Sequence, residues 1–260
     1  MLAENTRRTH PSGTVERLNA AWLRLSGLLV EIGLVAAFAL AYFGIRGLTQ
    51  GSQDQAFANA HSLVDLERAL GILWEEGVQG AIVDHPRLVT LANWIYIYGH
   101  WPVIVTAMVV LYLRCPPHYV RLRNAVFLSG VIGMAFFALL PMAPPRLGVL
   151  DVVDSVSERS QGYRALQPPS LTNPYAAMPS LHMGWNLLVG LVLWQATRRA
   201  TLRVVAVAMP VAMAWAVVAT ANHYVLDVVV GVLVAVMGYV LALVLAPVMP
   251  RAGRLRRAGH

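Results

Sequence analysis

Three groups of residues in this 260-residue chain have types and spacings that can do chemistry. The first is His182, which closes Pro179-Ser180-Leu181-His182 at the start of an apolar stretch. Ser180 is placed there to cap a helix, where free backbone N–H groups and the helix dipole favour an anion. The second is His223 with Asp227, spaced i,i+4 and so on one helix face. A carboxylate beside an imidazole fixes its tautomer and orientation and raises its basicity, as a nucleophile or base requires. The third is Arg146, in Ala143-Pro144-Pro145-Arg146, whose planar fork fits phosphate oxygens. His100, in Tyr96-Ile97-Tyr98-Gly99-His100-Trp101-Pro102, interrupts an apolar run, and an intramembrane ionisable residue is a functional candidate by default. Counted from Leu88 it lies about 18 Å along a helix, and a head-group or acceptor contact is the role considered for it.

Plainer readings exist for each residue. A histidine at a membrane interface can be a polar anchor, a His–Asp pair a structural bridge, and an Arg can extend its stem to reach head groups. Two His and an Asp also suit a metal, although no further His or carboxylate adjoins them in sequence. Against these readings, His182, His223, Asp227 and Arg146 all fall on one side of the membrane in the topology that follows.

The elements that must position these residues are membrane spans. The chain is 57% apolar and 13% charged, whereas a soluble domain is about 45–50% apolar and about 25% charged. Crossing a hydrocarbon core takes roughly 20 apolar residues. Such runs fall at residues 26–45, 88–113, 124–140, 183–197, 202–221 and 225–248. The expected fold is an all-α membrane protein, a six-transmembrane-helix bundle forming a single domain over residues 1–260. The fourth run is short, and its helix is expected to begin near Pro179. Gly130, Gly133 and Pro210 lie inside the third and fifth runs, where membrane helices tolerate them. The first run follows a polar segment, residues 1–25, and is longer than the apolar core of a signal peptide, so it reads as a retained span. Glu31 within it must face the bundle or the cytoplasmic surface.

Arginine sets the orientation. All 20 basic residues are Arg, a compositional bias that with the Ala- and Val-rich sequence fits a high-GC bacterium. Fourteen occupy one alternating set of segments: Arg7, Arg8, Arg17, Arg24, Arg114, Arg121, Arg123, Arg198, Arg199, Arg203, Arg251, Arg254, Arg256 and Arg257. Only Glu4 and Glu16 oppose them there, while the other set holds six Arg against nine acids. By the positive-inside rule both termini, including the tail 249–260, are cytoplasmic, and the acidic loops face out. The net charge of +7 is thus a topology signal, and nucleic acid is not an expected partner. A single cysteine, Cys115, excludes an internal disulfide framework and a multi-Cys metal site.

Two outer loops join the spans. Residues 50–87 carry helical spacing from Phe57 to Val83 (Ala58, Leu63, Leu66 and Leu70, then Ile72, Leu73, Val78 and Ile82), with a break at Gly71. That predicts two short amphipathic helices at the outer interface, which either cap the bundle or shape lipid access. Residues 141–178 are rich in Pro, Ser and Asp and long for a structureless connection, as functional or mobile loops tend to be.

Pro-Ser-x-His at 179–182 paired with His-x-x-x-Asp at 223–227, preceded by Arg146, resembles the type 2 phosphatidic acid phosphatase superfamily. The fuller context, Ala-Pro-Pro-Arg at 143–146, Tyr-Ala-Ala-Met-Pro-Ser-Leu-His at 175–182 and Asn-His-Tyr-Val-Leu-Asp at 222–227, is most similar to the branch holding inositol phosphorylceramide synthases. The resemblance covers roughly residues 60–231. It implies a metal-independent extracytoplasmic site needing no cofactor. It also implies roles: His223 as phosphate-accepting nucleophile, Asp227 as its orienting partner, His182 as acid for the leaving group, and Arg146 and Ser180 as phosphate ligands. Three positions depart from the superfamily pattern. Leu139 stands where a Lys is expected, Val217 where an Arg is expected, and Leu181 where Gly is usual. Arg164, Arg159 or His100 are the candidates to supply the missing charge.

The function expected from these readings is a lipid phosphotransferase or lipid phosphate phosphatase of the plasma membrane, with a phosphorylated lipid and the bilayer as partners. The acceptor, water or an alcohol, and the oligomeric state stay open at this level. A transporter or channel using the His/Asp cluster as a proton path is the alternative from another class, although no matching halves are visible. A catalytically inactive, lipid-binding member of the superfamily is the third.

Overall fold

The computed structural model describes residues 13–49, 51–156 and 173–246. Arg159, Arg164 and both polar termini (residues 1–12 and 247–260) lie outside the described residues. In chain order the helices among the described residues are α1 Gly13–Leu48, α2 Gln53–Leu70, α3 Glu75–Val83, α4 Pro86–Tyr98, α5 Trp101–Arg114, α6 Pro116–Leu139, α7 Leu181–Ala196, α8 Ala200–Ala219 and α9 Val225–Val244. No strand forms among the described residues, and an isolated parallel bridge joins Met142 to Ala176.

Among the described residues four helices are long and apolar enough to cross a membrane: Leu25–Ile45 within α1, then α6, α8 and α9. Helices α4 and α5 make a fifth span if taken together, but they are bent by 45°. The single helix expected over 88–113 is therefore two. Pro102 has no N–H to bond the Tyr98 carbonyl, and its ring crowds that oxygen, so the helix stops and restarts around Gly99-His100. The run expected as the fourth span forms the helix α7, which starts at Leu181 and has 16 residues. At 1.5 Å per residue that is about 24 Å, short of a hydrocarbon core of about 30 Å.

Helix α9 packs chiefly on α6 and α7, and α8 on α7 and α4. Glycine permits the closest of these approaches. A Cβ at Gly231 of α9 would strike the Ser180 carbonyl oxygen, and one at Gly184 of α7 would lie 2.7 Å from the Gly231 carbonyl oxygen. This contact brings the start of α7 against α9, where Ser180 N donates to the Asp227 carbonyl at 2.9 Å. Trp185, fully buried one turn along α7, donates from its indole to Ser129 Oγ of α6 at 3.2 Å.

Helix α1 exposes most of its apolar surface, with only 11% of its spanning window buried. Glu31 does face the bundle: Arg123 Nη1 of α6 donates to both its oxygens, and the Tyr119 hydroxyl donates at 3.0 Å. Removing one member of a buried pair strands the other charge and costs about 3–5 kcal/mol, whereas replacing both by apolar residues is often neutral. Arg123→Met is therefore expected to lower the thermal unfolding midpoint in detergent, and the double variant with Glu31→Leu to recover most of the loss. An unchanged midpoint in the single variant contradicts a holding role for the pair.

Residues 53–83 form two helices, α2 and α3, separated at the break expected at Gly71, whose φ of 70° ends α2 in the left-handed conformation that glycine adopts without strain. Their inward faces differ from the expectation. Leu66 and Leu70 point outward, whereas Ala56, Ala60, Leu63, Val64 and Glu67 of α2 and Glu75, Gln79 and Ile82 of α3 are buried. The apolar inward residues of α2 pack on Met142, Ala143, Ala177, Met178 and Tyr224. The loop 141–143 is tied to α2 by Ala143 N donating to the Ala56 carbonyl and Asn59 Nδ2 to that of Pro141.

Candidate active site

The start of α7 and the start of α9 meet beneath the α2–α3 hairpin, and that meeting assembles the candidate residues. Ser180 is fully buried at the N-cap of α7, its Oγ accepting from Met183 N at 3.5 Å, as expected for a capping serine. His182 follows in the first turn. His223 lies in the tight connection between α8 and α9, where Asn222 N and His223 N both donate to the Val217 carbonyl at 3.1 Å. The preceding Ala221 has φ 54°, a left-handed conformation that costs a non-glycine residue about 1–3 kcal/mol. It is held there by Ala221 N donating to the Val218 carbonyl and by the Ala221 carbonyl accepting from Arg146 N at 3.0 Å.

The His223 ring is buried and its tautomer is dictated by its neighbours. Nδ1 lies 2.8 Å from the Ala177 carbonyl and 3.5 Å from Asp227 Oδ2. A carbonyl can only accept, so Nδ1 carries the hydrogen and the lone pair is left on Nε2. Asp227 is completely buried and also accepts from Tyr224 N at 2.9 Å, closing a capping box on α9. The Tyr224 hydroxyl donates to the Ala143 carbonyl at 3.0 Å. Burial, with the nearby carboxylates of Asp227, Glu67 and Glu75, pushes that phenol well above its ordinary value and keeps it a donor.

The His182 ring faces His223 at 5.9 Å between centroids. Tyr96 stacks on His182 at 4.5 Å, and His100 approaches it at 4.1 Å while lying parallel to Trp185 at 5.7 Å. The break between α4 and α5 thus sets the buried His100 against the other candidate histidine. Arg146, on a 3-10 turn at Pro145–Leu147, donates from Nε to Asn222 Oδ1 at 2.9 Å and from Nη1 to Asp154 Oδ2 at 3.2 Å. Its side chain is 16% exposed.

Every candidate residue among those described falls into this one region: His182, His223, Asp227, Ser180, Arg146 by way of Asn222, and His100 by way of His182. Three participants were not singled out from sequence. Asn222 and Asp154 hold Arg146, and the Ala177 carbonyl is the nearest acceptor for His223. Asn222 and Ala177 sit inside the motif segments, but a backbone carbonyl has no residue type to betray it. The three departures also find places. Leu181 packs its side chain onto Gly133 of α6, Val217 is fully buried among apolar residues while its carbonyl caps the His223 turn, and Leu139 is 79% exposed. Among the described residues no group of three or more His, Cys, Asp or Glu could hold a metal ion.

The model of the PAP2 superfamily matches residues 61–241, which contain every residue of the site. Among solved structures, the crystal structure of Aquifex aeolicus LpxE aligns with a TM-score of 0.52 and 16% identity, over 65% of this chain and 92% of that one. At that identity the two share a fold. No curated protein matches the chain.

Proposed function

The chain belongs to the PAP2 superfamily, and from that premise we propose that it is a multi-pass membrane enzyme that takes the phosphoryl group from a phosphorylated lipid through a phosphohistidine. One observation carries the proposal. The Ala177 carbonyl holds the hydrogen on Nδ1 of His223, which leaves Nε2 nucleophilic with the His182 ring 5.9 Å away. Nucleophile, orienting groups and a second imidazole then stand in the relation that covalent catalysis uses.

In this reading the lipid reaches the site sideways from the outer leaflet. Its phosphate binds Arg146, with Ser180 at the α7 terminus, and takes the place of Asp154 on the guanidinium. The His223 Nε2 lone pair attacks phosphorus in line, the bond from phosphorus to the lipid oxygen breaks, and protonated His182 gives its proton to that oxygen. Water or an alcohol then attacks the phosphohistidine, neutral His182 takes the acceptor's proton, and His223 is released. Asp227 and the Ala177 carbonyl stabilise the imidazolium character that His223 gains. His100 serves on the leaving-group side by holding the His182 ring. Positioning and charge do most of the work in phosphoryl transfer, and a metal is not required by the scheme.

The Arg distribution supports the site lying at the outer face of a plasma membrane, with both termini inside and six crossings counting α7. The outward Leu66, Leu70 and Trp74 of the hairpin suit an interfacial position beside lipid. Purified protein offered phosphatidic acid, polyprenyl phosphates and diphosphates, and phosphatidylinositol with alcohol acceptors, in EDTA, is the test. Release of phosphate or formation of a new phospholipid that EDTA leaves intact is the expected result, and the product tells phosphatase from transferase. Turnover abolished by EDTA and restored by a divalent cation contradicts the proposal.

A further inference from the structure

Two glutamates of the outer hairpin have no part in the chemistry above, yet both side chains are fully buried against the helix that carries it. Glu75 Oε1 accepts from Val225 N at 2.7 Å, and Glu67 Oε1 accepts from Leu226 N at 2.6 Å. The first N–H groups of a helix have no partner within it. Here Asp227 takes the N–H of Tyr224 and the two glutamates take the next two. Because the two nitrogens are consecutive, the two carboxyl groups are forced side by side. Their other oxygens, Glu67 Oε2 and Glu75 Oε2, are buried and bond to no donor among the described residues.

We propose that Glu67 and Glu75 are a positioning pair, reaching down from α2 and α3 to fix the first turn of α9 and, through it, Asp227 and His223. Two carboxylates cannot both stay ionised at such closeness in a buried place. A proton on Glu67 Oε2, donated to Glu75 Oε2, satisfies both remaining oxygens at once. Burial is the main cause that pushes the Glu67 carboxyl up from 4.5 to about 8, with the hydrogen bond and charge of Glu75 and the charge of Asp227 adding to it. Among the described residues the titratable groups facing the pair are Asp227 and Tyr224 from α9, and neither is a cation. The folded chain therefore holds a proton that the unfolded chain loses near 4.5. The stability this proton confers is lost as pH rises, and above about 8 the pair has no donor between its oxygens. The α2–α3 hairpin thus becomes part of the working site, and its grip is strongest in the protonated form.

The test is hydrogen exchange of the full chain in detergent, read on a peptide spanning residues 223–229 at pH 7 and pH 9 and corrected for intrinsic exchange. Wild type is expected to lose protection at pH 9. Glu67→Gln keeps the acceptor for Leu226 N and supplies an uncharged donor to Glu75, so its protection is expected to be the same at both pH values. Glu67→Leu removes the acceptor and is expected to expose the segment at both. On a turned-over lipid phosphate, Glu67→Leu is expected to lower kcat by about ten- to a hundredfold, from misplacement alone, with KM nearly unchanged and with Glu67→Gln recovering most of the loss. An equal pH response in wild type and Glu67→Gln overturns the proposal, as does full protection in Glu67→Leu. If Glu67→Leu does not fold, the comparison of wild type with Glu67→Gln still decides. Only the kinetic arm rests on the proposed function; if no lipid phosphate is turned over, that reading fails while the exchange result stands on its own.

Discussion

His223→Asn is expected to reduce turnover of a lipid phosphate by roughly ten-thousandfold or more, the loss typical when a covalent nucleophile is removed. The Asn amide occupies the space of the inner half of the ring and can still donate to the Ala177 carbonyl, which His223 Nδ1 meets at 2.8 Å. The turn itself is held by backbone bonds from residues 222 and 223 to the Val217 carbonyl, which the substitution leaves alone. The variant should therefore fold with a wild-type melting midpoint and bind lipid, yet form no covalent intermediate. Steady-state kinetics beside a thermal melt make the comparison. Residual turnover within tenfold of wild type would mean that phosphorus is attacked by another group.

The second large effect is expected at Asp227. This carboxylate is completely buried, 3.5 Å from His223 Nδ1, and also caps Tyr224 N at 2.9 Å. Asp227→Asn retains an oxygen for the cap but removes the charge that favours a positively charged His223. Losses of about ten-thousandfold follow when an orienting aspartate beside a catalytic histidine is neutralised. Here the Ala177 carbonyl continues to fix the tautomer, so the expected fall in kcat is smaller, about a hundred- to a thousandfold, with KM little changed. Asp227→Ala should add the loss of a helix cap, about 1 kcal/mol of stability. Kinetics of both variants with their unfolding midpoints separate the two contributions. If Asn and Ala lower kcat equally and only slightly, Asp227 is a cap and nothing more.

Much of this site was legible from residue types alone. His182, His223, Asp227 and Arg146 stand out because imidazole, carboxylate and guanidinium groups beside the ends of apolar runs all fall on one side of the expected topology. The structure brings them together by glycine contacts between α7 and α9 that no spacing rule describes, since Gly184 and Gly231 matter only for what they allow to approach. The bend that sets His100 against His182 was written in Pro102, but the apolar run on both sides hid it. Glu67 and Glu75 lie off the apolar positions of the hairpin, and a periodicity that counts apolar residues gives such charges no inward partner. They turn inward because the start of α9 presents N–H groups that need acceptors. The absent cations at positions 139 and 217 are also explained differently by place. Position 217 is sealed in an apolar cluster where a guanidinium would be stranded, and position 139 points away from the core with 79% of its surface exposed.

A covalent phosphohistidine can be trapped by rapid denaturing quench with a lipid whose phosphate is radiolabelled. An acid-labile label is expected on the protein within the first turnover, recovered on the peptide that contains His223 and missing from His223→Asn. Full turnover by wild type with no protein-bound label at any quench time, or a label that persists in His223→Asn, would contradict it.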